Sequence, residues 1–211
     1  MALILTVGHS THPIEVFLEL LRGAGVEQVV DVRRFPGSRR HPQYGAATLT
    51  DVLAESAIGY EHVGELGGRR PVLPGSCNDG WQTSGFRGYA DHLRSPEFAE
   101  GMARLEGLAT RSRGVVMCAE AAWWRCHRRV LADVLGMRGW EVRHLMTGGR
   151  LVDHRPPKFM IAADEGLPCY PAAGHGSTSS SRQEPSVRGE RNHLHPRQKP
   201  NTSKGQEGDS R

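Results

Sequence analysis

The 211-residue chain predicts a single α/β domain with a mainly parallel sheet flanked by helices, followed by a disordered C-terminal tail. Three observations lead there. Apolar runs of strand length alternate with longer segments of helical periodicity, the pattern of β-α-β units. Several of the helical segments stop at glycine, as helices that return the chain to a sheet commonly do. Near residue 170 the composition shifts: from Pro171 onward Gly, Ser, Pro, Arg, Asn and Gln dominate, and Val187 and Leu194 are the only large aliphatic residues. Such a segment cannot bury enough apolar surface to offset its ordering entropy. The domain is therefore drawn over residues 1–168 and the tail over 169–211.

"LILTVG" (3–8) ends in glycine and reads as a buried strand. A helix follows over about 13–24, with Ser10, Thr11 or His12 near its N-cap and Pro13 in its first turn. Its polar stripe is only Glu15, Glu19 and Arg22, so the other faces press against a sheet. "EQVVDV" (27–32) is the second strand, and the basic loop "RRFPGSRRHPQYG" leads to a helix over about 48–57. "YEHV" is a short strand, and 64–85 is a long aperiodic loop of the kind that carries function or moves. "FRGYADHL" begins a helix, and Ser95-Pro96-Glu97 starts another with a capping serine, proline at N1 and an acid in the first turn. "GVVMC" (114–118) is a strand, "CHRRVLADVLGM" a helix and "EVRHL" (141–145) a strand.

Charge narrows the function classes. The tail from Pro171 holds seven Arg/Lys against four Asp/Glu, which leaves 20 against 19 in the first 170 residues. The basic balance lies mostly in the tail, so bulk charge gives little support to a nucleic-acid-coating role for the folded part. No membrane-length apolar run is present, and "MALILTV" lacks a basic flank and a cleavage pattern, so a cytoplasmic protein is expected. Its four cysteines are then expected to be reduced, with Cys77 and Cys169 unpartnered and incidental.

In folds of this class ligands bind beyond the carboxyl ends of the strands, and the polar clusters of this chain gather there. His9 and Ser10 follow the first strand; Asp31, Arg33, Arg34, Ser38 and Arg39 end or follow the second; Cys118 and Glu120, then Cys126, His127 and Arg128, follow the 114–118 strand. Helical spacing aligns Cys126 with Val130 and Val134, and His127 with Leu131 and Leu135, so both point at the protein body, as reactive groups or as packed core residues. Arg125 and Arg129 fall on the opposite, solvated face. Cys118, at a strand end and ahead of a helix, suits a thiolate, with Glu120 either an acid/base or an ordinary first-turn acid.

Known motifs nearly fit and then fail. "GHSTH" lacks the last glycine of a nucleophile elbow, a Cys-x5-Arg loop meets Trp124 where arginine is needed, and "TVGHST" has one glycine where a dinucleotide fingerprint has three. The zinc deaminase pattern is absent. Cys118, Cys126, His127 and His9 could supply zinc ligands, but no C-x2–4-C pair exists, so no cofactor is predicted and zinc stays an open alternative.

The segments "TVGHST", "DVRRFPGSRRHPQY", "ELGGRR", "FRGYADHLRSPEF" and "MCAEAAWWRCHRRVLADVL", with "GWEVRHL", together resemble the DUF488 family of uncharacterised bacterial and archaeal proteins, over about Ile4 to Leu145. The resemblance implies an α/β domain. It groups His9, Ser10, Asp31, Arg33, Ser38, Gly67, Gly68, Arg87, Tyr89, Cys118, Glu120, Cys126, His127 and Arg128 as characteristic positions, and it supplies no activity. The leading expectation is an enzyme acting on an anionic small molecule or nucleotide-like group. Cys118, Glu120, Cys126 and His127 would be its catalytic set, and His9, Ser10, Asp31, Arg33, Ser38, Arg39, Arg87, Tyr89 and Arg128 would bind. The alternatives are a nucleic-acid or anion binding module using the arginine-rich loop 33–40, Arg69, Arg70, the basic tail and the stacking surfaces of Trp81, Phe86 or Tyr89, or a metal held by Cys118, Cys126 and His127.

Overall fold

A computed structural model describes residues 2–37, 40–163 and 166–172. The expected tail, and with it Ser38 and Arg39 of the expected binding set, lies outside the described residues, apart from the tail's first residues, 169–172. The elements follow in the order β1 (Leu3–Gly8), α1 (Ile14–Gly23), β2 (Gln28–Asp31), α2 (Ala46–Glu55), β3 (Gly59–His62), α3 (Ser84–His92), α4 (Pro96–Ala109), β4 (Gly114–Cys118), α5 (Arg128–Met137), β5 (Glu141–Leu145), β6 (Leu151–Asp153), β7 (Ile161–Ala162) and β8 (Pro168–Cys169). Strand order in the main sheet is β3-β2-β4-β1-β5-β6, parallel from β3 to β5, with β6 antiparallel at the edge.

The alternation of strand side chains divides the core between the two faces. Leu5, Val7, Val29, Val115 and Met117 point to one side, where Phe17, Leu18 and Leu21 of α1 and Leu49 and Leu53 of α2 cover them. Ile4, Val30 and Val116 point to the other and pack against Tyr89, Phe98, Met102, Leu105, Val130, Leu131 and Val134 of α3, α4 and α5. The Ser95 cap forms as expected, its Oγ accepting from the Phe98 N–H at 3.1 Å. At α1, Pro13 occupies the N-cap position and no side chain caps the helix. Among the described residues no helix is long and apolar enough to cross a membrane.

Two sequence expectations are corrected. Cys77 and Cys169 are disulfide partners across 92 residues rather than unpartnered, and Cys169 and Tyr170, placed in the tail, are buried. Tyr170 donates from its hydroxyl to Asp133 at 2.7 Å, and its N–H reaches Asn78 Oδ1 at 3.1 Å. The second concerns α5. Arg129, expected on the solvated face, lies over the Trp81 ring at 4.9 Å, and Asp133 four residues on is buried and bound to His154 and Tyr170.

Candidate functional site

β1 and β4 are adjacent, yet the connection leaving β1 runs to α1 on one face and that leaving β4 runs to α5 on the other. The chain ends diverge between them, and a crevice opens at their carboxyl ends, where Gly8 sits beside Cys118. The segment after Cys118 crosses directly over β1: His9 N–H donates to Cys118 O at 3.0 Å and Ser10 N–H to Ala119 O at 2.9 Å. This crossing requires glycine at position 8, since a Cβ there would stand 2.0 Å from the Glu120 carbonyl oxygen. Gly8→Ala is therefore expected to cost about 3 kcal/mol in a urea unfolding titration, because the obstacle is backbone that cannot rotate away.

Cys118 ends β4, Cys126 lies just before α5, and His127 is that helix's N-cap residue. His127 Nε2 is 3.2 Å from the Val32 carbonyl, which can only accept, so Nε2 carries a proton and Nδ1 faces the sulfurs. Nδ1 lies 3.6 Å from Cys126 Sγ and 3.9 Å from Cys118 Sγ. Tyr89 backs the imidazole at 4.9 Å, held by its own hydroxyl bond to Leu66 O at 2.8 Å. The two thiols diverge in acidity. The hydrogen bond to Cys126 and burial push the Cys118 thiol well up. At Cys126 burial opposes charge, but the hydrogen bond from Cys118, His127 and the nearby Arg128 guanidinium prevail and hold its thiol well down. Of the two thiols the lowered one is Cys126, which stands two residues before α5 in the chain.

Above this cluster lies a cleft of about 640 Å3. Cys118 and His127 line it together with Arg33, Arg34, Arg69 and Arg125, and with the rings of Phe35, Phe86 and Trp124. No carboxylate lines it among the described residues. Arg33 is committed: its guanidinium forks onto buried Asp31 (2.5–3.0 Å), and NH1 meets His9 Nε2 at 3.3 Å. His9 donates from Nδ1 to Ser10 O at 2.9 Å and stacks on Tyr44; burial and Arg33 lower it to about 4, so it is neutral. Arg34 donates to Arg69 O at 2.7 Å, and Arg69 has a left-handed backbone (φ 59). The guanidinium groups of Arg69 and Arg125 have no hydrogen bond or ion pair among the described residues.

Other expected site residues serve elsewhere. The Glu120 carboxylate is exposed and accepts from the Ala122 N–H at 3.2 Å, away from the sulfurs. Arg87 holds the 79–81 loop through the carbonyls of Asp79 and Trp81. Arg70 pairs with Glu97. Arg128, 1% exposed, bonds to the Glu120 carbonyl and to Thr6 Oγ1. It starts a relay that sequence reasoning missed. Thr6 Oγ1 is 2.7 Å from His144 Nδ1, His144 Nε2 is 3.1 Å from His154 Nδ1, and His154 Nε2 is 2.7 Å from Asp133. One polarity satisfies every ring nitrogen: Arg128 donates to Thr6, Thr6 to His144, His144 to His154 and His154 to Asp133. Burial, His154 and Arg128 lower His144 to about 3, which agrees with its neutral role.

A three-layer α/β protein with an arginine cleft over a cysteine-histidine cluster is the class that fold and site define. The chain belongs to the family described as Domain of unknown function DUF488, whose model matches residues 13–135, more than half of the sequence. No curated protein and no solved structure matches it.

Proposed function

We propose that this protein is an enzyme acting on a small anionic substrate with a flat apolar part, whose reacting group sits over Cys118, Cys126 and His127. One observation carries the reading: Arg34, Arg69 and Arg125 face a carboxylate-free cleft whose floor is a thiol and an imidazole. Guanidinium groups suit phosphate or carboxylate, and Phe35 (64% exposed) and Trp124 (48% exposed) offer planar surfaces for the rest. From the side chains alone, Cys118 is the attacking sulfur because it lines the cleft, and its proton passes to the Cys126 thiolate or to His127 Nδ1. His127 is favoured over Glu120 as base, since the Glu120 carboxylate is turned to the Ala122 N–H. The nucleic-acid alternative has less support, because two of its three stacking rings, Trp81 and Tyr89, are buried.

The test is a thermal-shift screen of phosphorylated and carboxylated aromatic compounds, followed by turnover measurements on the binders. Arg69→Gln and Arg125→Gln should each weaken binding by about 10-fold, in line with one charge-assisted hydrogen bond. Cys118→Ala should abolish turnover with an unchanged unfolding midpoint. Binding indifferent to both arginines, or turnover that survives Cys118→Ala, would sink the reading. A single bound anion should also respond weakly to salt, whereas several phosphate contacts along a nucleic acid would respond steeply.

A further inference from the structure

Cys118 Sγ, Cys126 Sγ and His127 Nδ1 lie within 4.8 Å of one another, and the nitrogen is 3.6 and 3.9 Å from the two sulfurs. A tetrahedral zinc ion, with bonds of about 2.3 Å to sulfur and about 2.0–2.1 Å to nitrogen, sets sulfur and nitrogen about 3.6 Å apart. The two nitrogen–sulfur edges thus already lie close to those of such a site. Two further features suit a ligand set. His127 Nε2–H is tied to the Val32 carbonyl, the outer bond that fixes a metal-binding imidazole with its other nitrogen toward the ion. Gly68 keeps the space beside that nitrogen, since a Cβ there would stand 2.9 Å from Nδ1. The donors are also of one chemical kind, two sulfurs and an imidazole, which selects zinc-like ions over magnesium or calcium.

We propose that Cys118, Cys126 and His127 bind a soft divalent cation of the zinc class, with the fourth coordination direction turned to the arginine cleft. Binding displaces to solvent whatever protons the sulfurs still hold, and the two thiolates balance the ion's charge. The inference does not rest on the anionic-substrate reading. With the ion bound, the sulfurs are occupied and an anionic group in the cleft meets the metal instead of a thiol. The chemistry changes; the substrate class does not.

Cobalt is the probe for the test: the reduced full-length chain, stripped with chelator, is titrated with Co2+ and followed by absorption. The expected result is one equivalent of cobalt showing thiolate charge-transfer and tetrahedral d–d bands, both displaced by Zn2+. Cys118→Ser and Cys126→Ser should each weaken cobalt by more than about 100-fold, and Gly68→Ala by about 10-fold, comparable with loss of an outer-shell partner. A Cys77→Ser/Cys169→Ser variant should keep the bands. Folded, reduced protein without a charge-transfer band, or bands that persist in Cys118→Ser and Cys126→Ser, would overturn the site. Anion binding measured on the chelator-stripped parent chain separates the two claims. If an anion binds there and cobalt does not, only the metal inference falls; if cobalt binds and no anion does, only the substrate reading falls.

Discussion

Asp31→Asn is expected to lower unfolding stability by about 3–5 kcal/mol, because it leaves a buried guanidinium without its countercharge. Asp31 is 0% exposed and accepts from the Arg33 fork, from the Arg33 backbone N–H at 3.0 Å and from the Tyr60 hydroxyl at 2.8 Å. Asparagine keeps the shape but removes the charge, and its amide presents donors to a guanidinium that is itself all donor. Urea titration reads the loss. Adding Arg33→Met to Asp31→Asn should recover part of it, since removing both charges also removes the unpaired one. A loss below about 1 kcal/mol for Asp31→Asn alone would mean that the guanidinium finds water or another acceptor in the folded state. The pair also reaches the site, because Arg33 lines the cleft and fixes His9 through Nε2.

Acid should destabilise this protein before its carboxylates begin to protonate. His9 and His144 are buried and neutral, lowered from 6.5 to about 4 and about 3 respectively. Below 6.5 the unfolded chain takes up protons at both positions and the folded chain does not, so stability falls as pH falls. The loss continues until each folded value is reached. Together the two groups should remove on the order of 4 kcal/mol between pH 7 and pH 5, a large share of the total stability of a domain. Unfolding midpoints measured across that interval check the prediction. A His144→Asn variant should flatten the slope by roughly half, and a profile of the parent protein flat from pH 7 to 5 would refute the neutral-histidine assignment.

Much of the fold is legible in local pattern. β1, β4 and β5 coincide with the runs read at 3–8, 114–118 and 141–145, and α4 starts on the Ser95 cap that its neighbours announce. Local pattern also carries the general location of the site, because a polar residue at the end of an apolar strand can only lie at the sheet's edge. The strands β6, β7 and β8 are two or three residues long, too short for any periodicity, and they exist because β5 and one another supply their hydrogen bonds. The Cys77–Cys169 pair, and the bond from Tyr170 to Asp133, join segments that no spacing rule connects.

What the sequence determined by itself is where the longer strands and helices lie, most of their apolar sides, and that cysteine, histidine and arginine gather where strands end. Those follow from interactions within a few residues along the chain. Tertiary structure decided which of these groups meet. The order β3-β2-β4-β1-β5 sets β4 between β2 and β1; Cys118 meets His127, His127 meets the Val32 carbonyl, and Gly68 lies beside the imidazole. It likewise set Cys126 beside Cys118 and His127, whose neighbourhood lowers its thiol, and aimed Arg125 into the cleft. Proton placement and ligand geometry depend on distances between segments remote in sequence, and only the packed sheet fixes those distances.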